Sequence, residues 1–357
     1  MTINDAILWL MAIFMLLGAV DRILGNRFGL GASFEEGIVA MGSLALAMLG
    51  ILCLAPVLSG LLRPLVVPLY ALVGADPAMF AGTILANDMG GASLAMELAG
   101  SREAGQFGGL IVGAMLGATV VFTIPVALGI LRPEDRPALA RGVLAGVVTV
   151  PVGALAGGLA AGFPLSMLIV NLIPIVLVAL LVALGLWKAP EAMVRGFTVF
   201  GKGVVAVITV GLAAAVFQSL TGIVLIPGLA SLSEGFETVG HIAIVLAGAF
   251  PLVSVLTRVF RGPLVKLGRL LGMNEVAAAG LVATLANNIP MFGMVKDMDE
   301  RGKVINVAFA VSAAFVFGDH LGFTAGFDSS MIFPMIVGKL VGGATAVAAA
   351  WWMTRKS

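Results

Sequence analysis

Charge is what this sequence lacks most. Asp, Glu, Lys and Arg make up 11% of the chain against 60% hydrophobic residues, where a soluble domain carries about 25% charged and about 45–50% apolar residues. So little charge cannot cover a water-facing surface, which excludes a soluble protein and puts lipid around the fold. A formal net charge of +1 supplies no field for nucleic acid, and no nucleic-acid partner is expected. Cysteine is reduced to Cys53, which excludes an intrachain disulfide. No His, Cys and carboxylate cluster has metal-ligand spacing, so neither a metal nor a cofactor is expected. The glycines follow no strand, and spacings such as G-x-x-x-G at Gly109 to Gly113 read as helix packing rather than a phosphate loop. Exposed faces of that kind allow a homodimer. The start, M-T-I-N-D-A-I-L-W-L, has no basic flank and carries Asp5, so the first apolar stretch is expected to be a retained membrane helix.

What is present is apolar run after apolar run. A hydrocarbon core of about 30 Å needs roughly 20 apolar residues per helix. Runs of that order lie at 3–20, 37–62, 104–131, 142–187, 203–233, 242–257, 304–318 and 329–354. The run at 142–187 is long enough for two helices, with G-F-P at 162–164 as the turn between them. The expected fold is an all-α polytopic membrane protein with about nine transmembrane helices. Segments 64–99 and 260–298 are left over. Each contains a polar break: L-A-N-D-M-G-G from Leu85 and L-A-N-N-I-P-M from Leu285.

These two breaks belong to a longer pattern. V-G-A-L-A-G-G at 152–158 returns as V-G-K-L-V-G-G at 337–343, and a similar lead-in precedes each break, at 62–74 and 260–272. Matches in one order indicate a duplication. Residues 1–162 form repeat one with a hairpin at 76–99; 163–198 form a linker helix and cytoplasmic loop; 199–357 form repeat two with a hairpin at 274–298. Short cytoplasmic loops are enriched in lysine and arginine, which tests the hairpins. With both hairpins re-entrant and the N-terminus outside, Arg63 and Arg102 fall outside, Lys339 lies within a span, and the other 17 of the 20 basic residues lie inside. Two full crossings with the N-terminus inside give a split of 11 to 8. The re-entrant arrangement is favoured, with the C-terminus cytoplasmic. One linker helix between repeats of four crossings inverts the second repeat, the arrangement of secondary transporters with broken helices at the midplane. The hairpin tips are then expected to meet near the bilayer centre.

Asp88 at the first tip is a carboxylate at depth, costly unless used; its alternative role is to cap the following helix. Asn87, Asn287 and Asn288 can each donate and accept, or simply join helices. Gly90 and Gly91 allow close backbone approach, and Pro290 starts the second arm where its missing N–H costs little. A second constellation is F-G-D-H-L-G at 317–322. Counted along a helix entered near Val304, Asp319 lies roughly 22 Å deep. Asp319 and His320 could bind a cation or relay a proton; the alternative for Asp319 is a salt bridge with Lys339, which reads as a structural counter-charge. Two aspartates against one lysine favour a cationic solute. Glu97 near the outer surface either guards an entrance or is an ordinary interfacial side chain. Glu35 and Glu36 sit at the inner boundary as solvated groups.

The quoted segments carry a resemblance. A-G-T-I-L-A-N-D-M-G-G (81–91), A-A-A-G-L-V-A-T-L-A-N-N-I-P-M-F-G-M (277–294), G-D-H-L-G-F (318–323) and M-I-F-P-M-I-V-G-K-L (331–340) are similar to the EutH-type ethanolamine transporters, nearly end to end. The resemblance implies a bacterial inner-membrane permease, not an enzyme, that takes up ethanolamine. Its solute is a protonated amine, which agrees with the charge count. The chain is shorter than the enteric members near 25–33 and 223–236 and lacks their polar tail. Facilitated diffusion by alternating access is the expected mode, with cation coupling left open. A channel for ammonium or small amines is the nearer alternative. An intramembrane aspartyl hydrolase using Asp88 and Asp319 is the remoter one, since its G-x-G-D and Y-D signatures are absent.

Overall fold

A computed structural model describes residues 2–355. Lys356, counted above among the inner cations, lies outside the described residues. In chain order the helices are α1 (Ile3–Ile23), α2 (Leu30–Ala71), the short pair α3 (Ala78–Ile84) and α4 (Gly91–Leu98), α5 (Arg102–Ile130), α6 (Pro133–Ala160), α7 (Leu165–Lys188), α8 (Pro190–Thr221), α9 (Leu232–Leu270), the short pair α10 (Glu275–Ala286) and α11 (Asn288–Met294), α12 (Glu300–Ala313), α13 (Asp319–Phe327) and α14 (Ser329–Met353). Among the described residues there is no strand. Eight of these helices are long and apolar enough to cross a membrane. Their outward faces carry bare Trp9, Leu46, Leu65, Leu181 and Leu220, so the protein is a multi-pass membrane protein. The turn expected at 162–164 is present, with Gly162 at φ 77° between α6 and α7.

The count is one short of nine because the run at 304–318 is not one helix. α12 ends at Ala313, and the chain is irregular up to Asp319, with Phe315 at φ 62°. The cause is tertiary. The Phe315 and Phe317 amides donate to the Thr284 and Leu285 carbonyls at 3.1 and 2.9 Å, and those carbonyls are freed where α10 ends at the second polar break. Two interruptions satisfy each other, as buried backbone requires. The lead-ins 62–74 and 260–272 also differ from expectation. They largely continue α2 and α9, which run 42 and 39 residues, or about 60 Å each.

Helices α2 and α9 lie along one another, and α6 packs on α14. At the α6–α14 crossing, Gly153 and Gly338 face each other. A Cβ on Gly153 would sit 2.6 Å from the Gly338 oxygen, and one on Gly338 would sit 3.1 Å from the Gly153 oxygen. α5 is buried along nearly its whole length and is π-helical over Phe107–Gly117. Its carbonyls are thereby offset from ordinary α-helical partners.

Each short pair is tied at its open end. The Gly100 amide donates to the Asp76 carboxylate at 2.9 Å, and the Asp76 amide donates to the Asn171 side chain at 2.7 Å. The Asn274 amide donates to the Asp299 carboxylate at 2.8 Å, and its side chain donates to the Asp297 carbonyl at 2.9 Å. Polar bonds gather at the two ends of the molecule. At one, Arg102 and Gln106 bind the Asp328 carboxylate at 3.1 and 2.7 Å, and the Asn4 side chain donates to the Ser330 carbonyl. Burial of Asp328 opposes its ionisation, but bonds from Ser330, Gln106 and Arg102 hold its carboxyl below the usual range. At the other end, Lys303 bridges Asp135 and Glu300 at 2.8 and 2.7 Å.

Candidate functional site

The first break puts Leu85 and Ala86 in extended backbone, then a single tight turn at Asn87–Met89 and Gly90 at φ 91°. That φ explains Gly90, since other residues adopt it at a cost. Gly91 donates its amide to the Ala86 carbonyl at 2.8 Å and starts α4. The turn delivers Asp88 to the side of α13. One Asp88 carboxylate oxygen lies 3.9 Å from His320 Nε2, outside hydrogen-bond range but close enough to attract a charge between them. His320 Nδ1 lies 2.9 Å from Lys339 Nζ, and Nζ also donates to the Ala114 carbonyl in the π-helical part of α5. An ammonium has donors only, so His320 Nδ1 must accept and the ring proton is assigned to Nε2, facing Asp88. The result is a line of ammonium, imidazole and carboxylate. His320 and Lys339 are buried, while the Asp88 side chain keeps 19% of its surface open.

The line corrects the pairing expected for Lys339. Its partner is His320 rather than Asp319, because Asp319 is the first residue of a new helix and depth counted from Val304 does not apply. Asp319 instead lines a cavity of about 660 Å³ with Asn287 and Glu36, together with the hydroxyls of Ser33, Ser254 and Thr257. Asn287 also caps α11 by accepting from the Ile289 amide at 2.8 Å, and Pro290 sits within that first turn, where no amide partner is due. Each polar doublet is split. Asp319 and Asn287 face the cavity, while His320 and Asn288 are buried behind it.

The two tips do not bond to each other. The Asn288 side chain donates to the Thr123 hydroxyl of α5 at 3.2 Å, and the Asn87–Met89 turn packs on α13. Each tip thus meets a helix of the other half of the chain. Asn87 is fully buried, and neither its amide oxygen nor its nitrogen has a protein partner; the Asn288 oxygen and the Thr324 hydroxyl also lack one. An unpaired buried polar group costs about 1–3 kcal/mol. Glu97 is exposed at the far end of α4, where its carbonyl accepts from Arg63 at 2.6 Å, and it takes no part in this cluster.

Two residues were missed from sequence. Glu36 reads as interfacial, yet shares the cavity with Asp319. Phe315 reads as one more apolar residue of a span, yet its ring lies 5.2 Å from the His320 ring and 5.5 Å from Phe122. The Glu35–Glu36 doublet was the only hint of the first; nothing local marked the second. Among the described residues no three His, Cys, Asp or Glu side chains are grouped to hold a metal.

Fold and site together define a polytopic helical membrane protein with ionisable groups aligned between broken helices. The chain belongs to the family described as "Ethanolamine utilisation protein, EutH", which matches residues 3–353. It is 66% identical over 356 residues to the "Probable ethanolamine permease EutH" of Listeria monocytogenes serotype 1/2a (strain 10403S), covering 100% of this chain and 95% of that one. It is 52% identical over 394 residues to the protein of the same name in Escherichia coli (strain K12), covering 100% and 97%. It is 53% identical over 354 residues to "Uncharacterized protein YxeR" of Bacillus subtilis (strain 168), covering 99% and 96%. No solved structure matches the chain.

Proposed function

We propose that this protein is an ethanolamine permease of the bacterial inner membrane, carrying the protonated amine by alternating access as facilitated diffusion. The names of its relatives support the solute class. The observation that carries the reading is the juxtaposition at the first tip. Asp88 offers an open carboxylate edge, and the neighbouring Asn87 amide is buried without a protein partner. Ethanolamine presents an ammonium and a hydroxyl two carbons apart. Asp88 takes the ammonium, and Asn87 exchanges hydrogen bonds with the hydroxyl. Phe315, packed on His320, offers an aromatic face to the same cation. The cavity holding Asp319, Asn287 and Glu36 is the route to one side of the membrane, with Asp319 passing the cation on.

In this reading residues 1–162 and 199–357 are inverted repeats, with 163–198 between them. The tips at 76–99 and 274–298 are re-entrant, the N-terminus is outside and the C-terminus cytoplasmic. The ties at Asp76–Gly100 and Asn274–Asp299 support re-entrance, since each brings a segment's two ends together. The reciprocal contact of Gly153 and Gly338, which occupy matching positions of V-G-A-L-A-G-G and V-G-K-L-V-G-G, supports a two-fold relation.

Uptake of labelled ethanolamine into proteoliposomes tests the role of Asp88. Losing a charge-assisted bond of about 1.5–3 kcal/mol raises the half-saturation concentration of Asp88→Asn about 10- to 150-fold. Undiminished flux and affinity in that variant would remove Asp88 from the site. Saturable counterflow by the unaltered protein is expected of a carrier and not of an ammonium channel.

A further inference from the structure

A second pocket lies far from the breaks, at the end of the molecule where Lys303 bridges Asp135. It has a volume of about 750 Å³ between the start of α6, the end of α7, the start of α8 and the end of α14. Three guanidinium groups line it, Arg136, Arg141 and Arg195, against one carboxylate, Glu191. Among the described residues none of the three arginines has a carboxylate within 4.0 Å, Glu191 included. The remaining wall is apolar, including Leu144 and Trp187, and Trp187 is 73% exposed.

What leads to the pocket matters as much as its charge. Leu177, Leu180, Leu181 and Leu184 are all exposed on α7, and their spacing puts them on one face of that helix, ending at Trp187. An exposed leucine stripe on a membrane helix is a surface for acyl chains, and a tryptophan at its end is a typical interfacial anchor. At the top of this stripe stand three arginines whose planar forks match phosphate oxygens.

We infer that this pocket is a binding site for an anionic phospholipid, with its phosphate among Arg136, Arg141 and Arg195 and an acyl chain along the α7 leucine stripe. A soluble anion would use the guanidinium groups but not the stripe, and a zwitterionic lipid would use the stripe but gain little from the net positive charge. Basic pockets between membrane helices are suited to acidic headgroups, and each basic residue near an anionic lipid surface strengthens association about fivefold. Three arginines less one glutamate give a preference of about 25-fold for the anionic lipid. The inference is independent of the solute carried.

The chain has four tryptophans, and replacing Trp9, Trp351 and Trp352 by Phe leaves Trp187 as a reporter in the pocket wall. In phosphatidylcholine nanodiscs, brominated phosphatidylglycerol should quench Trp187 at about 25-fold lower mole fraction than brominated phosphatidylcholine. Arg136→Gln, Arg141→Gln and Arg195→Gln should each narrow that gap about fivefold. Equal quenching by the two lipids overturns the inference, as does loss of the preference on adding millimolar inorganic phosphate, which would assign the pocket to a free anion. The comparison of lipids on the protein with all three arginines decides the matter even where an arginine variant does not fold.

Discussion

Replacing Lys339 by Met removes a buried ammonium and keeps the length of the side chain. Lys339 Nζ lies 2.9 Å from one ring nitrogen of His320, and Asp88 lies 3.9 Å from the other. With the width of the imidazole included, the ammonium is at most about 9 Å from the Asp88 carboxylate, where an effective dielectric of about 20 gives an attraction of about 2 kcal/mol. A solute ammonium held at Asp88, as proposed, is repelled by Lys339 over a similar distance, so this repulsion has about the same size. Without Lys339 the solute should bind up to about thirtyfold more tightly, by the same 2 kcal/mol. Release should slow accordingly, since a carrier gains nothing from holding its solute in the ground state.

Equilibrium binding of ethanolamine to purified Lys339→Met measures the first effect, and the maximal rate of uptake in proteoliposomes measures the second. The variant also leaves the Ala114 carbonyl and His320 Nδ1 without their donor, which should lower stability by about 1–3 kcal/mol for each group. A thermal shift in detergent reads that separately from affinity. Unchanged or weaker binding in a protein that remains folded would refute the electrostatic coupling of Lys339 to Asp88. The structural role of the lysine would then be its only one.

The α6–α14 crossing should resist any added atom: Gly153→Ala places its Cβ 2.6 Å from the Gly338 oxygen and 2.8 Å from the Gly342 Cα, and overpacking of this kind costs about 1–3 kcal/mol. An unchanged melting temperature would show that the two helices separate freely. At the end held by Asp328, stability should depend on acid. Its carboxyl is held below the ordinary aspartate range in the folded protein, so its contribution is fully present above that range and is lost as pH falls through the lower folded value. The difference in melting temperature between the unaltered protein and Asp328→Asn should therefore be constant near neutrality and shrink progressively below about pH 4; a gap that does not narrow at all on acidification would count against the ion pair.

The long helices were legible in sequence because hydrophobic length is a one-dimensional signal. So were the interruptions at 85–91 and 285–291, where two polar residues stand beside a glycine pair or a proline. The interruption at 314–318 was not, since A-F-V-F-G contains one glycine and no proline and reads as a continuing helix. What breaks it is a pair of carbonyls on α10, thirty residues away in sequence, and no local pattern encodes them. Counting along an unbroken helix from Val304 sets Asp319 level with Lys339, whereas the break turns His320 to it instead. Residue type and position single out polar groups in apolar surroundings, but how they group depends on which face of α13 each occupies. Glu36 was lost for the same reason: its meaning lies in a cavity formed with α9 and α13, not in its own helix.

The backbone bonds at 314–318 also constrain what can move. Thr284 and Leu285 are at the end of α10, and their carbonyls are bound by the Phe315 and Phe317 amides. Pulling the second tip away from the α12–α13 junction would leave four peptide groups unpaired in a water-poor interior. At about 1–3 kcal/mol for each buried orphan, the four together cost about 4–12 kcal/mol, as much as millimolar to nanomolar binding supplies. The α10–α11 pair and the α12–α13 junction therefore travel as one body, carrying Asn287, Asn288, Asp319 and His320 together. Asp88, on the first tip, is attached to that body by no hydrogen bond, only by the 3.9 Å approach to His320. The gap between Asp88 and His320 is thus where the polar core can open without breaking backbone bonds.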